Sequence, residues 1–132
     1  MMSIVKFNTA VLTLVLLGVS APAFAAGDAK KGEKVFRKCK ACHVVDSDKN
    51  KVGPSLQNIM GRTPASVEGF KYSKAMIAFG EDEDNVWDAE TLSEYLLKPR
   101  KLVKGTKMAF GGLKKDADRD NVIAYLMENS EE

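Results

Sequence analysis

The chain has 132 residues, 45% of them hydrophobic and 29% charged, with a formal charge of +2. That is room for one domain of ordinary soluble composition and no more. Lys6 is the only charge among the first 25 residues, so the remainder carries +1. This is too small a bias to grip a nucleic acid, and any electrostatic docking must come from an uneven charge distribution.

Residues 1–25 read as a secretory signal peptide. Lys6 supplies the positive region, an apolar core runs from Ala10 to Val19, and Ala23-Phe24-Ala25 offers the small residues of a cleavage site. Cleavage after Ala25 leaves one domain over residues 26–132, exported to the periplasm. The competing reading is an uncleaved anchor, but the apolar stretch before Pro22 is shorter than the ~20 residues a spanning helix needs.

Asp28 is placed to cap a first helix running to about Lys40. Ala29, Gly32, Val35 and Phe36 recur at helical spacing and form a narrow apolar face. An interior glycine costs about 1 kcal/mol relative to alanine, so Gly32 is sensible where another element packs very close. Cys39-Lys40-Ala41-Cys42-His43 follows. Residues three and four apart share a helical face, so both thiols and the imidazole can address one flat ligand. A redox dithiol expects a βαβ context that is missing here, and a closed zinc site needs four ligands. Among these readings and a plain disulfide, the spacing and the export signal favour a c-type haem. Two thioethers form from the thiols, and His43 becomes the proximal iron ligand.

Residues 44–52 are polar and lysine-rich and read as a loop. Gly53-Pro54 is either an ordinary turn or the carbonyl that orients the second ring nitrogen of His43. Leu56, Ile59 and Met60 suggest a short helical turn closed by Gly61. Arg62 is either a solvated cation or a partner for a haem propionate, and Tyr72 is a donor for the same group. Ser73 caps a helix to about Phe79. Residues 80–84 form a solvated acidic loop. Trp87, the sole tryptophan, reads as core with an indole N–H that needs an acceptor.

Asp88 caps a helix over residues 89–97 with Leu92, Tyr95 and Leu96 on its apolar face, and Pro99 ends it. Lys98, Arg100, Lys101, Lys104 and Lys107 then cluster around a turn at Gly105, as a solvated face or a docking patch. Residues 105–112 are irregular and glycine-punctuated. Of the methionines beyond the leader, Met60, Met76, Met108 and Met127, only Met108 lies in a long irregular loop. Buried methionines are usually packing, yet a thioether also suits low-spin haem iron. Asp116 caps a last helix over residues 117–129, packing through Val122, Ile123, Tyr125 and Leu126 and crossing the first helix near Gly32. No strand alternation, repeat or phosphate loop appears, so the fold class is all-α.

These residues together resemble class I cytochrome c, most closely its bacterial cytochrome c2 branch. The resemblance rests on Gly32 and Phe36 before the Cys39–His43 motif, Gly53-Pro54, Leu56, Gly61-Arg62 and Gly69-Phe70. It continues through Tyr72, Trp87, Tyr95-Leu96, Pro99, Gly105-Thr106-Lys107-Met108 and Ala124-Tyr125-Leu126. It implies the cytochrome c fold around one haem c, with terminal helices packed crosswise. It implies His43 and Met108 as axial ligands and Pro54 as the carbonyl that orients His43. Tyr95 and Thr106 would lie beside Met108, and Arg62, Tyr72 and Trp87 near the propionates. It also implies a monomeric periplasmic electron carrier rather than an enzyme. Its partners would be a bc1-type donor and a terminal oxidase or photosynthetic reaction centre, met through Lys38, Lys40, Lys101, Lys107 and Lys114 around the haem edge.

The sequence departs from the family pattern in three places. Lys104 stands where many relatives have proline, Met76 occupies a position often polar, and the stretch around residues 80–84 is longer than in the mitochondrial form. A haem enzyme or gas sensor would need an open iron, and the chain has no second histidine for distal acid–base work. A disulfide-stapled binding module would leave that one histidine unexplained.

Overall fold

The first helix, α1 (Ala29–Phe36), begins where Asp28 accepts a hydrogen bond from the Lys31 amide, an N-cap that satisfies one of the free first-turn donors. In the computed structural model, which describes Gly18 and residues 27–130, four more helices follow. They are α2 (Lys74–Glu81), α3 (Ala89–Leu97), α4 (Pro99–Leu102) and α5 (Asp116–Glu128), with no strand among the described residues. The all-α expectation holds. Residues 1–25, read above as a leader, lie outside the described residues apart from Gly18, and no helix among those described is long and apolar enough to cross a membrane.

The fold is set by α1 crossing α5. A Cβ at Gly32 would stand 2.6 Å from the Asn121 carbonyl carbon and 2.8 Å from the Tyr125 Cβ, so only glycine allows this approach. Phe36 stacks obliquely on Tyr125 with ring centroids 5.2 Å apart, and the Asn121 side chain accepts from the Asp28 amide at 2.8 Å. The expected crossing at Gly32 is therefore present, and Phe36, Val122, Ile123 and Leu126 are buried there. A second aromatic run, Phe79–Trp87–Tyr95, has centroid spacings of 5.8 Å and 5.1 Å and carries the core from α2 to α3.

Several local expectations need correction. Helix α1 stops at Phe36 rather than near Lys40, giving way to turns. Residues 56–61 form two tight turns, not a helix. Asn58 and Gly61 take positive φ values of 53° and 76°, which break the helical path. Pro99 does end α3, but it also starts α4 from the first position, where its missing N–H costs nothing. Asp116 is not the cap of α5. Lys115 occupies that place, and the Asp116 carboxylate lies inside the first turn and takes a hydrogen bond from Arg119. Val45, in the polar loop, is buried.

Replacing Gly32 by alanine should destabilise the folded protein. Alanine gains about 1 kcal/mol of helix propensity, but the clash with a rigid carbonyl costs more, leaving a net loss of roughly 1–2 kcal/mol. Chemical denaturation of the two proteins measures the difference; equal midpoints would mean that α1 and α5 do not pack this closely.

Candidate functional site

The residues Cys39, Cys42 and His43 lie on one turn although the regular helix has ended. The Cys39 and Lys40 amides both bond to the Phe36 carbonyl, at 2.8 Å and 3.1 Å. The Cys42 and His43 amides both bond to the Cys39 carbonyl, at 3.0 Å and 2.9 Å. The two cysteines are unbridged, and burial pushes the Cys39 thiol up to about 11, so it is a thiol at neutral pH. Among the described residues no three His, Cys, Asp or Glu side chains gather as they would for a closed zinc site.

The imidazole of His43 is held through Nδ1, 2.7 Å from the Pro54 carbonyl. A carbonyl only accepts, so Nδ1 carries the proton and Nε2 keeps its lone pair free for a metal. Burial lowers the His43 pKa below its usual value, which favours that neutral ring. Gly53 makes room for it: a Cβ there would stand 2.8 Å from both ring nitrogens. The same glycine ties the loop to the cysteine turn, its amide donating to the Cys42 carbonyl at 2.8 Å. Lys51 adds a second tie by donating to the Lys40 carbonyl at 2.7 Å. The Asn50 side chain closes the loop by accepting from the Ser55 amide at 2.9 Å.

Met108 sits half-buried in irregular backbone between two glycines of positive φ, Gly105 at 104° and Gly112 at 100°. Its amide donates to Thr106 Oγ1 at 3.3 Å. Thr106 Oγ1 and Tyr95 Oη lie 3.0 Å apart, and Tyr95 Oη donates to the Met108 sulfur at 3.8 Å. With one proton per hydroxyl, the bonds run in a ring from the Met108 amide through Thr106 and Tyr95 back to the sulfur. A thioether has two lone pairs, so one remains for a metal. Of the other methionines, Met76 is buried in the core and Met127 is exposed on α5.

A third group joins Arg62, Tyr72 and Trp87. Arg62 is half-buried and donates to the Ser55 and Gln57 carbonyls at 2.8 Å and 2.9 Å. It is thus no free surface cation. Its backbone pairs with buried Trp87, whose amide donates to the Arg62 carbonyl at 2.9 Å. The Tyr72 hydroxyl accepts from the Val67 amide at 3.2 Å; burial raises its pKa, while the nearby Arg62 charge pulls it down. Lys107 links this group to the Met108 loop, its ammonium lying 3.2 Å and 3.4 Å from the carbonyls of Lys71 and Tyr72. Lys38, Lys40, Lys101, Lys107 and Lys114 are all exposed.

Gly53, Ser55, Lys51 and Arg119 support these groups without having been singled out in the sequence for that work. Gly53 announces itself only as half of a Gly-Pro turn. Ser55 and Arg119 are buried polar residues that each donate to a backbone carbonyl, and such a carbonyl leaves no trace in a sequence.

Two unbridged thiols, an imidazole with free Nε2 and a thioether with a free lone pair are the kinds of donor that a covalently attached haem uses. A family model described as cytochrome c matches residues 29–130. The chain is 47% identical over 109 residues to a cytochrome c of Stellaria longipes, covering 81% of this chain and 97% of that one. It is also 47% identical over 104 residues to a cytochrome c2 of Rhodoblastus acidophilus, covering 78% and 94%. Among solved structures, cytochrome cH from Methylobacterium extorquens matches with a TM-score of 0.71 at 40% identity, covering 77% of this chain and 99% of that one.

The Tyr95 phenol titrates above its usual 10.0 because it is buried, and the Thr106 bond partly offsets the rise. Thr106→Val removes that offset, so Tyr95 should ionise at a still higher pH in an ultraviolet titration. A raised folded-state value means that the phenol's contribution to stability is complete below pH 10.0 and is lost as pH climbs through the folded value. An unchanged or lower Tyr95 titration in the variant would show that the ring of hydrogen bonds is not formed.

Proposed function

The chain belongs to the cytochrome c family, a family of haem electron carriers, and from that premise we propose that it is a periplasmic carrier closed at iron by His43 and Met108. Its cofactor is a single covalent haem c, for which Cys39 and Cys42 have the attachment spacing. When bound, the haem supplies a reversible one-electron couple. The observation that carries the reading is that one chain holds both an oriented imidazole and a thioether fixed by its own hydrogen-bonded ring.

Each residue then has one task. Cys39 and Cys42 tether the macrocycle through thioethers. His43 would ligate the iron through Nε2, with Pro54 fixing its ring. Met108 would ligate it through its sulfur, with Tyr95 and Thr106 fixing that sulfur. Two protein ligands leave no position for substrate or oxygen, so the chain does no bond-making chemistry; Met/His ligation also favours the reduced state and raises the potential. Arg62, Tyr72 and Trp87 form the polar boundary for the propionates.

Residues 1–25, read as a secretory leader, support a periplasmic location. The exposed lysines support transient docking on acidic surfaces of a bc1-type donor and of a terminal oxidase or photosynthetic reaction centre. Such encounters are small and weaken with salt.

Purified ferric protein should show the weak far-red band of methionine-ligated haem. Met108→Ala should abolish it, while Met127→Ala, altering an exposed side chain, should leave it intact. Persistence of the band without Met108 would sink the assignment. Reversing the charge of Lys38, Lys40 and Lys101 together should slow electron transfer with an acidic partner. The deficit should shrink as salt shortens the screening length toward ~3 Å at 1 M. Rates that ignore both charge and salt would place docking elsewhere.

A further inference from the structure

Arg119 is a buried charge with no task in the assignment above. It lies in α5 with 7% of its surface exposed. Its Nε donates to Ser93 Oγ on α3 at 3.2 Å, its Nη1 to the Leu113 carbonyl at 2.6 Å, and its Nη2 to the Asp116 carboxylate. The Asp116 side chain is 87% exposed, so solvent screens this pair. Desolvation of the guanidinium is offset chiefly by fixed neutral oxygens, an arrangement that specifies geometry more than it adds stability.

The Leu113 carbonyl is the informative contact. Leu113 is buried, and its amide donates to the Leu96 carbonyl of α3 at 2.7 Å. Both backbone polar groups of this residue are therefore committed, one to α3 and one to α5. Gly112, just before it, presses against the end of α3, where an added Cβ would stand 3.1 Å from the Leu96 carbonyl oxygen. Upstream, the loop is pinned by the Thr106 amide on the Val103 carbonyl and by Thr106 on Tyr95, each at 3.0 Å. Between these two pins runs the segment that carries Met108.

We propose that Arg119 is a positioning residue for Met108: it anchors the downstream end of the 105–112 loop so that the sulfur cannot leave its place without straining the Leu113 attachment. This rests on the assignment of Met108 as the axial ligand. The planar guanidinium suits the task because it reaches three acceptors in fixed directions, which an ammonium cannot do at once.

Imidazole binding to the ferric holoprotein, followed at the far-red band, measures how readily Met108 is displaced. Arg119→Met should raise imidazole affinity about tenfold or more, the scale of losing a charged hydrogen bond. Arg119→Lys should fall between that variant and the parent. Hydrogen exchange at the Leu113 amide should accelerate in step.

The control is Ile59→Ala, which loses stability through a buried side chain whose backbone bonds run only to Leu56 and Arg62. Its imidazole affinity should stay within about twofold of the parent, as expected for uncoupled sites. If Arg119→Met binds imidazole no better than this control, Arg119 is merely structural and the proposal fails. If Arg119→Met yields no holoprotein, Ser93→Ala, which removes one acceptor and nothing else, carries the same test with a smaller increase expected. A far-red band that survives Met108→Ala overturns the ligand assignment beneath it, a failure distinct from an unresponsive Arg119.

Discussion

The hydrogen bond from His43 Nδ1 to the Pro54 carbonyl is the contact on which the rest of the molecule turns. It fixes which ring nitrogen is free, and with it the direction from which a metal must be met. Two conditions make it possible. The chain must bring Pro54 back over the ring without a side chain in between, which is why residue 53 is glycine. The cysteine turn must also not drift, and it hangs from α1, which is locked on α5 where Gly32 meets the Asn121 backbone. A glycine at a helix crossing thus governs the placement of an imidazole eleven residues further on.

The two sides of the site are built differently. His43 is held by a short loop with several cross-ties, from Gly53 to Cys42, Lys51 to Lys40 and Ser55 to Asn50. Met108 hangs in irregular backbone, kept in place by a ring of three weak contacts and by pins at either end of its loop. A helix would satisfy its own backbone and hold its shape alone, whereas an extended strap must borrow partners from neighbouring elements. Tyr95, Arg119 and the Lys71 and Tyr72 carbonyls that receive Lys107 are those lenders, and they come from three different parts of the chain. On this account ligand exchange begins on the methionine side, and the protein tunes it through residues that never touch the iron.

Much of this could be read in advance, and the reasons differ by residue. The caps Asp28, Ser73 and Asp88 were legible because a short polar side chain before an apolar period has a local mechanism. The gathering of Cys39, Cys42 and His43 on one turn was legible because residues three and four apart share a face. The α1–α5 crossing was legible from one costly glycine facing a bulky helix. The end of α1 at Phe36 was not, because nothing after it forbids helix; the chain leaves it to set the cysteine turn. Helix α4 was hidden because proline is both a terminator and a starter. Asp116 reads as a cap in sequence, because the competing demand of Arg119 lies three residues on, inside the helix. Val45, Ser55 and Arg119 were beyond reach, since their burial is decided by distant backbone rather than by neighbours in sequence.

On this account His43 and Met108 together close the iron and leave it nothing to do but exchange electrons. Carbon monoxide tests this most directly, because it binds ferrous haem wherever a coordination position is free. The reduced, purified holoprotein should keep its low-spin visible spectrum unchanged under carbon monoxide at neutral pH. A prompt shift to a carbonyl spectrum would mean an open site, and the protein would then have to be understood as a haem enzyme or a gas sensor.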